Sequence, residues 1–76
     1  MTRAQAIGIN NANAAFDQAY DFDTLEDAIT SYWDNVQDSL AEKGLLTDEA
    51  FAEAERAFDA RVAQLRANPP LTRAAQ

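Results

Sequence analysis

Apolar residues recur at three- and four-residue intervals between Leu25 and Leu40, and this spacing limits the possible folds more than any other feature of the sequence. Such spacing places them on one face of a helix, whereas a strand requires alternation at every second residue. The series consists of Leu25, Ala28, Ile29, Tyr32, Trp33, Val36 and Leu40. The chain is therefore expected to be built on a long amphipathic helix in its centre.

Both ends of this segment carry helix-capping signals. Asp23 is predicted as the N-cap, and Glu26 three residues later completes a capping box. Gly44 stands where a Schellman motif needs a residue in the left-handed conformation. The sequence therefore predicts a helix over 24–43.

A second helix start follows after a short connection. Thr47 is predicted as the N-cap of a helix over 48–67, with Leu46 and Phe51 as a hydrophobic staple. The helix is expected to end before Pro69, because a residue that precedes proline avoids helical dihedral angles. Since the connection is short, the two helices are expected to form an antiparallel helical hairpin.

The first segment predicts a weaker helix over 4–20. Its apolar face consists of Ile9, Ala12, Phe16, Ala19 and Tyr20. Ile7 lies away from this face and is expected to be exposed. Gly8 and nearby asparagines lower helix propensity, so packing on the hairpin must stabilise this helix. The fold expected is all-α, a small three-helix arrangement forming a single domain over 1–68, with 69–76 as a flexible C-terminal tail.

Composition argues against catalysis and against a metal site. The 76-residue chain contains no histidine and no cysteine, which removes the commonest general base and the thiolate and imidazole metal ligands. Asp17, Asp21 and Asp23 loosely follow a calcium loop, but the loop glycine is missing and Ala28 stands where the final glutamate belongs. No catalytic residue, no metal ligand and no cofactor are predicted.

Charge and hydropathy indicate the compartment and the class of partner. The sequence shows no signal peptide and no apolar run near the ~20 residues that span a bilayer, so a cytoplasmic protein is expected. A net charge of −7 repels nucleic acid phosphates and anionic membranes. We therefore expect neither direct nucleic acid binding nor membrane binding, and a basic protein surface as the partner.

The acidic residues of the central helix form a row on its polar face. All 13 acidic residues of the chain lie between Asp17 and Asp59, where only Lys43 and Arg56 are basic. At 100° per residue, five of them fall within an arc of about 100°. They are Asp23, Asp27, Asp34, Asp38 and Glu42. Trp33 borders this face, and the six side chains are the predicted partner-binding residues.

The spacing of these carboxylates is typical of a nucleic acid backbone. Asp34 to Asp38 and Asp38 to Glu42 each span about 6 Å along the helix axis. This distance approximates that between successive phosphates on one strand. The row is thus expected to act as a nucleic-acid mimic.

In size, acidity and single-domain character the chain resembles small inhibitor proteins encoded by phages and mobile elements, such as anti-CRISPR proteins and nucleic-acid mimics. The resemblance covers the overall profile and no shared motif. It implies a stoichiometric inhibitor, acting in the host cytoplasm, that binds a basic surface of a host nucleic-acid-binding complex. The alternative is a homodimeric structural, assembly or regulatory module without mimicry, in which the apolar arcs of the first two helices continue into a second copy.

Overall fold

The computed structural model describes residues 1–19 and 22–67, with side chains for 1–19 and 24–67. The helices in this part of the chain are α1, Arg3–Gln18; α2, Phe22–Glu42; and α3, Asp48–Ala67. No strand occurs among these residues. The predicted all-α three-helix arrangement is thus confirmed, while the predicted tail over 69–76 lies outside the described residues.

α1 begins with a capping box that was not predicted. Thr2 is the N-cap: its Oγ1 accepts a hydrogen bond from the Gln5 backbone N–H at 3.1 Å, and Gln5 Oε1 accepts one from the Thr2 backbone N–H at 3.0 Å. The helix ends at Gln18, earlier than predicted, because Ala19 has an extended backbone with φ −77° and ψ 137°. Both ends of α1 are therefore set by local backbone geometry.

α2 begins at Phe22, so the prediction of Asp23 as its N-cap is wrong. Asp23 is the second residue of the helix, and its side chain lies outside the described residues. An aspartate is favourable in the first turn as well as at the N-cap, because the helix dipole is positive there, and the pattern alone does not separate the two positions. A capping box that has Asp23 as its N-cap is excluded with it, and the Glu26 carboxylate pairs with Arg66 of α3 at 2.7 Å.

The turn after α2 is the predicted Schellman motif. Gly44 has a left-handed backbone with φ 69°. The Leu45 N–H donates to the Leu40 carbonyl at 2.9 Å, and the Gly44 N–H donates to the Ala41 carbonyl at 3.1 Å. These are the two bonds that define the motif. Leu45 also packs against the core, so the turn fixes where α3 starts.

Thr47 is confirmed as the N-cap of α3. Its Oγ1 accepts a hydrogen bond from the Ala50 backbone N–H at 3.1 Å, and its carbonyl accepts one from Phe51 at 2.9 Å. Phe51 packs against the core, whereas Leu46 remains 46% exposed. The cap therefore holds the start of α3 while Leu46 is only about half-covered.

Replacing Gly44 with alanine is expected to lower the free energy of unfolding by about 1 kcal/mol, because a Cβ disfavours the left-handed conformation. No neighbouring atom lies within 4 Å of the place a Cβ would take, so the loss of stability would come from backbone strain and not from a steric clash. Urea denaturation followed by circular dichroism measures it. Gly44→Asn should lose less, since asparagine tolerates this conformation, and an equal loss in both variants would contradict the assignment.

α1 and α3 run parallel to each other. Near the start of both helices, Thr2 Oγ1 donates to Glu53 Oε1 at 2.6 Å. Towards their other ends, Arg61 Nε donates to Asn13 Oδ1 at 2.8 Å. Two contacts in the same order along both chains fix the relative direction of the pair.

α2 runs antiparallel to α3, as predicted for the last two helices. Glu26 near the start of α2 pairs with Arg66 near the end of α3, and Trp33 further along packs against Phe58, which comes earlier in α3. α1 nevertheless packs more extensively against α2 and α3 than these two helices pack against each other. α1 is therefore the centre of the packing.

The core is formed mainly by small residues of α1 and large ones of α2 and α3. Its buried apolar side chains are Ala4, Ala12, Ala15, Phe16, Ala19, Leu25, Val36, Leu40, Ala54, Phe58 and Val62. At Gly8 the α1 backbone lies so close to α3 that a Cβ would overlap the Ala54 carbonyl oxygen and lie 3.0 Å from the Phe58 nitrogen. Glycine is thus required at this helix contact.

The buried face of α1 matches the predicted apolar stripe in part. Three members of the stripe are buried in the core as predicted, namely Ala12, Phe16 and Ala19, and Tyr20 lies outside the described residues. Ile7, expected to be exposed, packs against the core, whereas Ile9 is half-buried outside the core cluster. The buried face is centred on Ala4, Gly8 and Ala12, because small residues let the α1 and α3 backbones approach each other. A branched side chain at the centre of that face would hold them apart.

Candidate functional site

Four of the predicted partner-binding carboxylates lie on the exposed face of α2. They belong to Asp27, Asp34, Asp38 and Glu42, all of them exposed. These four residues are called the acidic row below. The fifth predicted acid, Asp23, lies on the same helix, but its side chain is outside the described residues. The structure therefore places the acidic row on one uninterrupted helix.

α2 presents the acidic row on a rigid support. On the opposite face Leu25, Val36 and Leu40 are 0% exposed, so they anchor the helix along most of its length. Asp27 to Glu42 spans about 22 Å of helix axis, at 1.5 Å per residue. The α2 backbone thus fixes the order and spacing of the four groups, while their side chains remain free to adjust to a partner.

In the described part of the chain, no cation neutralises the acidic row. Within residues 1–19 and 24–67, no lysine or arginine nitrogen forms an ion pair with its carboxylates. The ion pair that joins α2 to α3 uses Glu26 instead, which is outside the row. Like charges at i, i+4 cost a helix a few tenths of a kcal/mol per pair, roughly 0.2–0.5. The row is therefore a local destabilising feature that solvent and counterions must offset.

Trp33, the sixth predicted contact residue, is half-buried at the α2–α3 interface. Its ring meets that of Phe58 edge to face, with centroids 5.4 Å apart and an angle of 72° between the planes. Aromatic pairs in this geometry contribute about 0.5–1.5 kcal/mol beyond the area they bury. Trp33 thus mainly packs α2 against α3. Only the exposed part of its side chain could contact a partner.

A polar network, which was not predicted, fixes the register of α2 on α1. Asn11 is 6% exposed, and its Oδ1 accepts a hydrogen bond from Asn35 Nδ2 at 2.8 Å. Asn11 Nδ2 donates to the Ile7 carbonyl at 2.9 Å and lies 3.5 Å from Ser39 Oγ. A buried amide must find such partners, so the network selects one axial position of α2. The sequence signal that could have indicated this network is Asn11, an asparagine that stands between apolar positions of the helix.

The described residues hold no group of carboxylates arranged for a metal ion. No three aspartates or glutamates come together in residues 1–19 and 24–67. Of the loosely calcium-like residues, Asp21 and Asp23 lie outside the described side chains. None of the helices in the described part of the chain is long and apolar enough to cross a membrane.

Comparison of the chain with protein-family models, with curated proteins and with solved structures finds no match. The function must therefore be argued from the surface of the molecule.

Proposed function

We propose that this protein is a small acidic helical inhibitor that binds a basic surface of a larger nucleic-acid-processing complex. It acts in the cytoplasm, that of the host if the chain is phage-encoded, and it works stoichiometrically rather than as an enzyme. The acidic row on α2 occupies a site where the partner holds nucleic acid. In this respect the protein is of the anti-CRISPR or nucleic-acid-mimic type.

The observation that carries the proposal is an acidic row on a firmly packed helix without cations of its own. A solvated helix face more often mixes charges of both signs, which gives favourable i, i+4 pairs. Here Asp34, Asp38 and Glu42 follow each other at i, i+4, and the face keeps the resulting repulsion. Arginine and lysine side chains of a partner would relieve it, so the complex has an electrostatic driving force that the free protein lacks.

The partner is expected to present a groove or strip of cations that normally contacts one nucleic acid strand. The acidic row is single and about 22 Å long at 1.5 Å per residue. A matching cationic strip would contact the carboxylates by charge-assisted hydrogen bonds, which suit arginine in particular. Binding there excludes the nucleic acid because the two ligands compete for the same cations.

Reversing two charges of the acidic row tests this proposal. Bacterial lysate treated with nuclease is passed over immobilised protein, and the affinity of the purified captured complex is then measured. Asp34→Lys with Asp38→Lys is expected to weaken binding by about 100-fold, since charge pairs become like-charge contacts. The affinity of the unaltered protein should also fall steeply as salt is raised.

The matched control is Glu55→Lys with Asp59→Lys, which changes the net charge by the same amount on α3. This control should bind like the unaltered protein and, like it, displace nucleic acid from the captured complex. Binding that survives reversal of the acidic row, or that both double variants lose equally, would refute the proposal. Capture of a complex that keeps its nucleic acid bound would refute mimicry.

A further inference from the structure

A groove between α1 and α3 lies on the side of the molecule away from the acidic row. Its volume is about 560 Å³. Its lining includes Gln5, Ile9 and Asn13 of α1 and Glu53, Ala57 and Arg61 of α3. At 100° per residue, the groove residues of α1 lie roughly 180° around the helix from Asn11 and Ile7, which face α2. A molecule seated in the groove would therefore leave α2 exposed.

Ile9 is an apolar side chain of α1 that the fold leaves outside the core. It is half-buried, lines the groove, and does not belong to the core cluster. Across the groove, Ala57 and Ala60 are small and leave space above α3. Ile9 and these two alanines thus form a small apolar strip that is open to solvent.

Opposite charges stand at the two ends of the groove. Glu53 lies towards one end, and only its Oε1 is bonded to Thr2. Arg61 lies towards the other end and is held in place, because Nε donates to Asn13 at 2.8 Å and Nη1 donates to Gln64 at 3.1 Å. Glu53 and Arg61 are about 12 Å apart along the helix axis. The groove therefore carries a carboxylate towards one end and a guanidinium towards the other, and Arg56 also belongs to its lining.

We propose that a second copy of this chain packs against the groove. The grooves of the two copies face each other, and the α1 and α3 helices of one copy run antiparallel to those of the other. Ile9 is midway between Gln5 and Asn13, and Ala57 is midway between Glu53 and Arg61. A two-fold axis through these midpoints brings Ile9 onto Ile9 and Ala57 onto Ala57 of the other copy. It also brings each Glu53 opposite the Arg61 of the other copy, so the surface is complementary to itself.

The dimer is expected to be weak and reversible. The groove residues span only about 12 Å of α1 and about 17 Å of α3 at 1.5 Å per residue, which is at the small end for a specific interface. Arg56 lies at the rim and is exposed, so the repulsion between two copies of it is screened by salt. Dimerisation leaves both acidic rows exposed on opposite outer faces. It neither requires nor excludes the function proposed above.

Charge exchange between two variants tests the orientation. Glu53→Arg alone and Arg61→Glu alone each place like charges together twice, so each should associate at least 10-fold more weakly than the unaltered protein. An equimolar mixture of the two should form a heterodimer, since both contacts then join an arginine to a glutamate. Analytical ultracentrifugation measures this, with association followed up to about 1 mM protein.

Two controls separate association from folding. Glu55→Arg makes the same charge change outside the groove and should dimerise normally, while Ile9→Arg should be monomeric with an unchanged helical circular dichroism spectrum. Recovery of the dimer in the mixture shows that both charge variants are folded. An unaltered protein that stays monomeric at the highest concentration, or a mixture that stays monomeric while the unaltered protein dimerises, would overturn the proposal.

Discussion

Gly8→Ala is expected to destabilise the protein by about 3 kcal/mol, although alanine is the better helix former by about 1 kcal/mol. The new Cβ would overlap the Ala54 carbonyl oxygen and lie 3.0 Å from the Phe58 nitrogen. Both contacts are with backbone of α3, which cannot turn aside as a flexible side chain can. The two helices must separate, and the core around Phe58 would lose its close packing.

Chemical denaturation of Gly8→Ala and of Asn10→Ala on the same helix gives a matched comparison. Asn10 is exposed, so its replacement should stabilise the protein by a few tenths of a kcal/mol, roughly 0.5, through helix propensity alone. The two variants are thus expected to change stability in opposite directions. A stabilised Gly8→Ala protein would mean that α1 and α3 do not meet at this point.

The helix ends that the sequence predicts correctly are those set by neighbouring residues. Gly44 and Thr47 form caps whose hydrogen bonds reach five residues or fewer along the chain. Such bonds depend on local geometry, which the order of residues already contains. The capping box at Asp23 was predicted by the same logic but is wrong, because α2 already begins at Phe22, and Glu26 is paired with Arg66 of α3. A contact between residues far apart in sequence is not visible in local spacing.

The orientation of α1 was predicted only in part, since Ala12 and Phe16 are buried as expected whereas Ile9 is outside the core. Its apolar periodicity favours a face that contains Ile9, yet the contact with α3 forms around Gly8. How closely two helices approach depends on side-chain size at the crossing point of both helices, and this point is known only from the fold. Ile9 is consequently left in the α1–α3 groove, and this groove cannot be found from the order of residues alone.

The acidic row was easier to predict than its electrostatic environment. One helix carries all of its members, so the period of 3.6 residues suffices to place them on one face. Whether arginines from elsewhere neutralise them depends on tertiary structure. Arg66 lies against Glu26 and Arg61 against Asn13, which directs both guanidinium groups away from the row.

Phe58→Ala is expected to lower the free energy of unfolding by about 4 kcal/mol, the usual cost of emptying a large aromatic site in a core. Phe58 is 1% exposed and meets Trp33 edge to face, so the change removes both the buried area and the contact between α2 and α3. A core of this size supplies only roughly 3–5 kcal/mol in total. The variant should therefore be largely unfolded without any denaturant.

Trp33 makes the loss of Phe58 directly measurable, because it is the only tryptophan of the chain. Its fluorescence should shift to the red in Phe58→Ala as the indole becomes exposed, together with a loss of helical circular dichroism. Phe58→Leu keeps most of the volume and should remain folded with a loss of about 1–2 kcal/mol. A folded Phe58→Ala protein whose fluorescence is unchanged would show that Trp33 is held by other contacts, and α2 would then be positioned mainly by the Asn11 network and by α1.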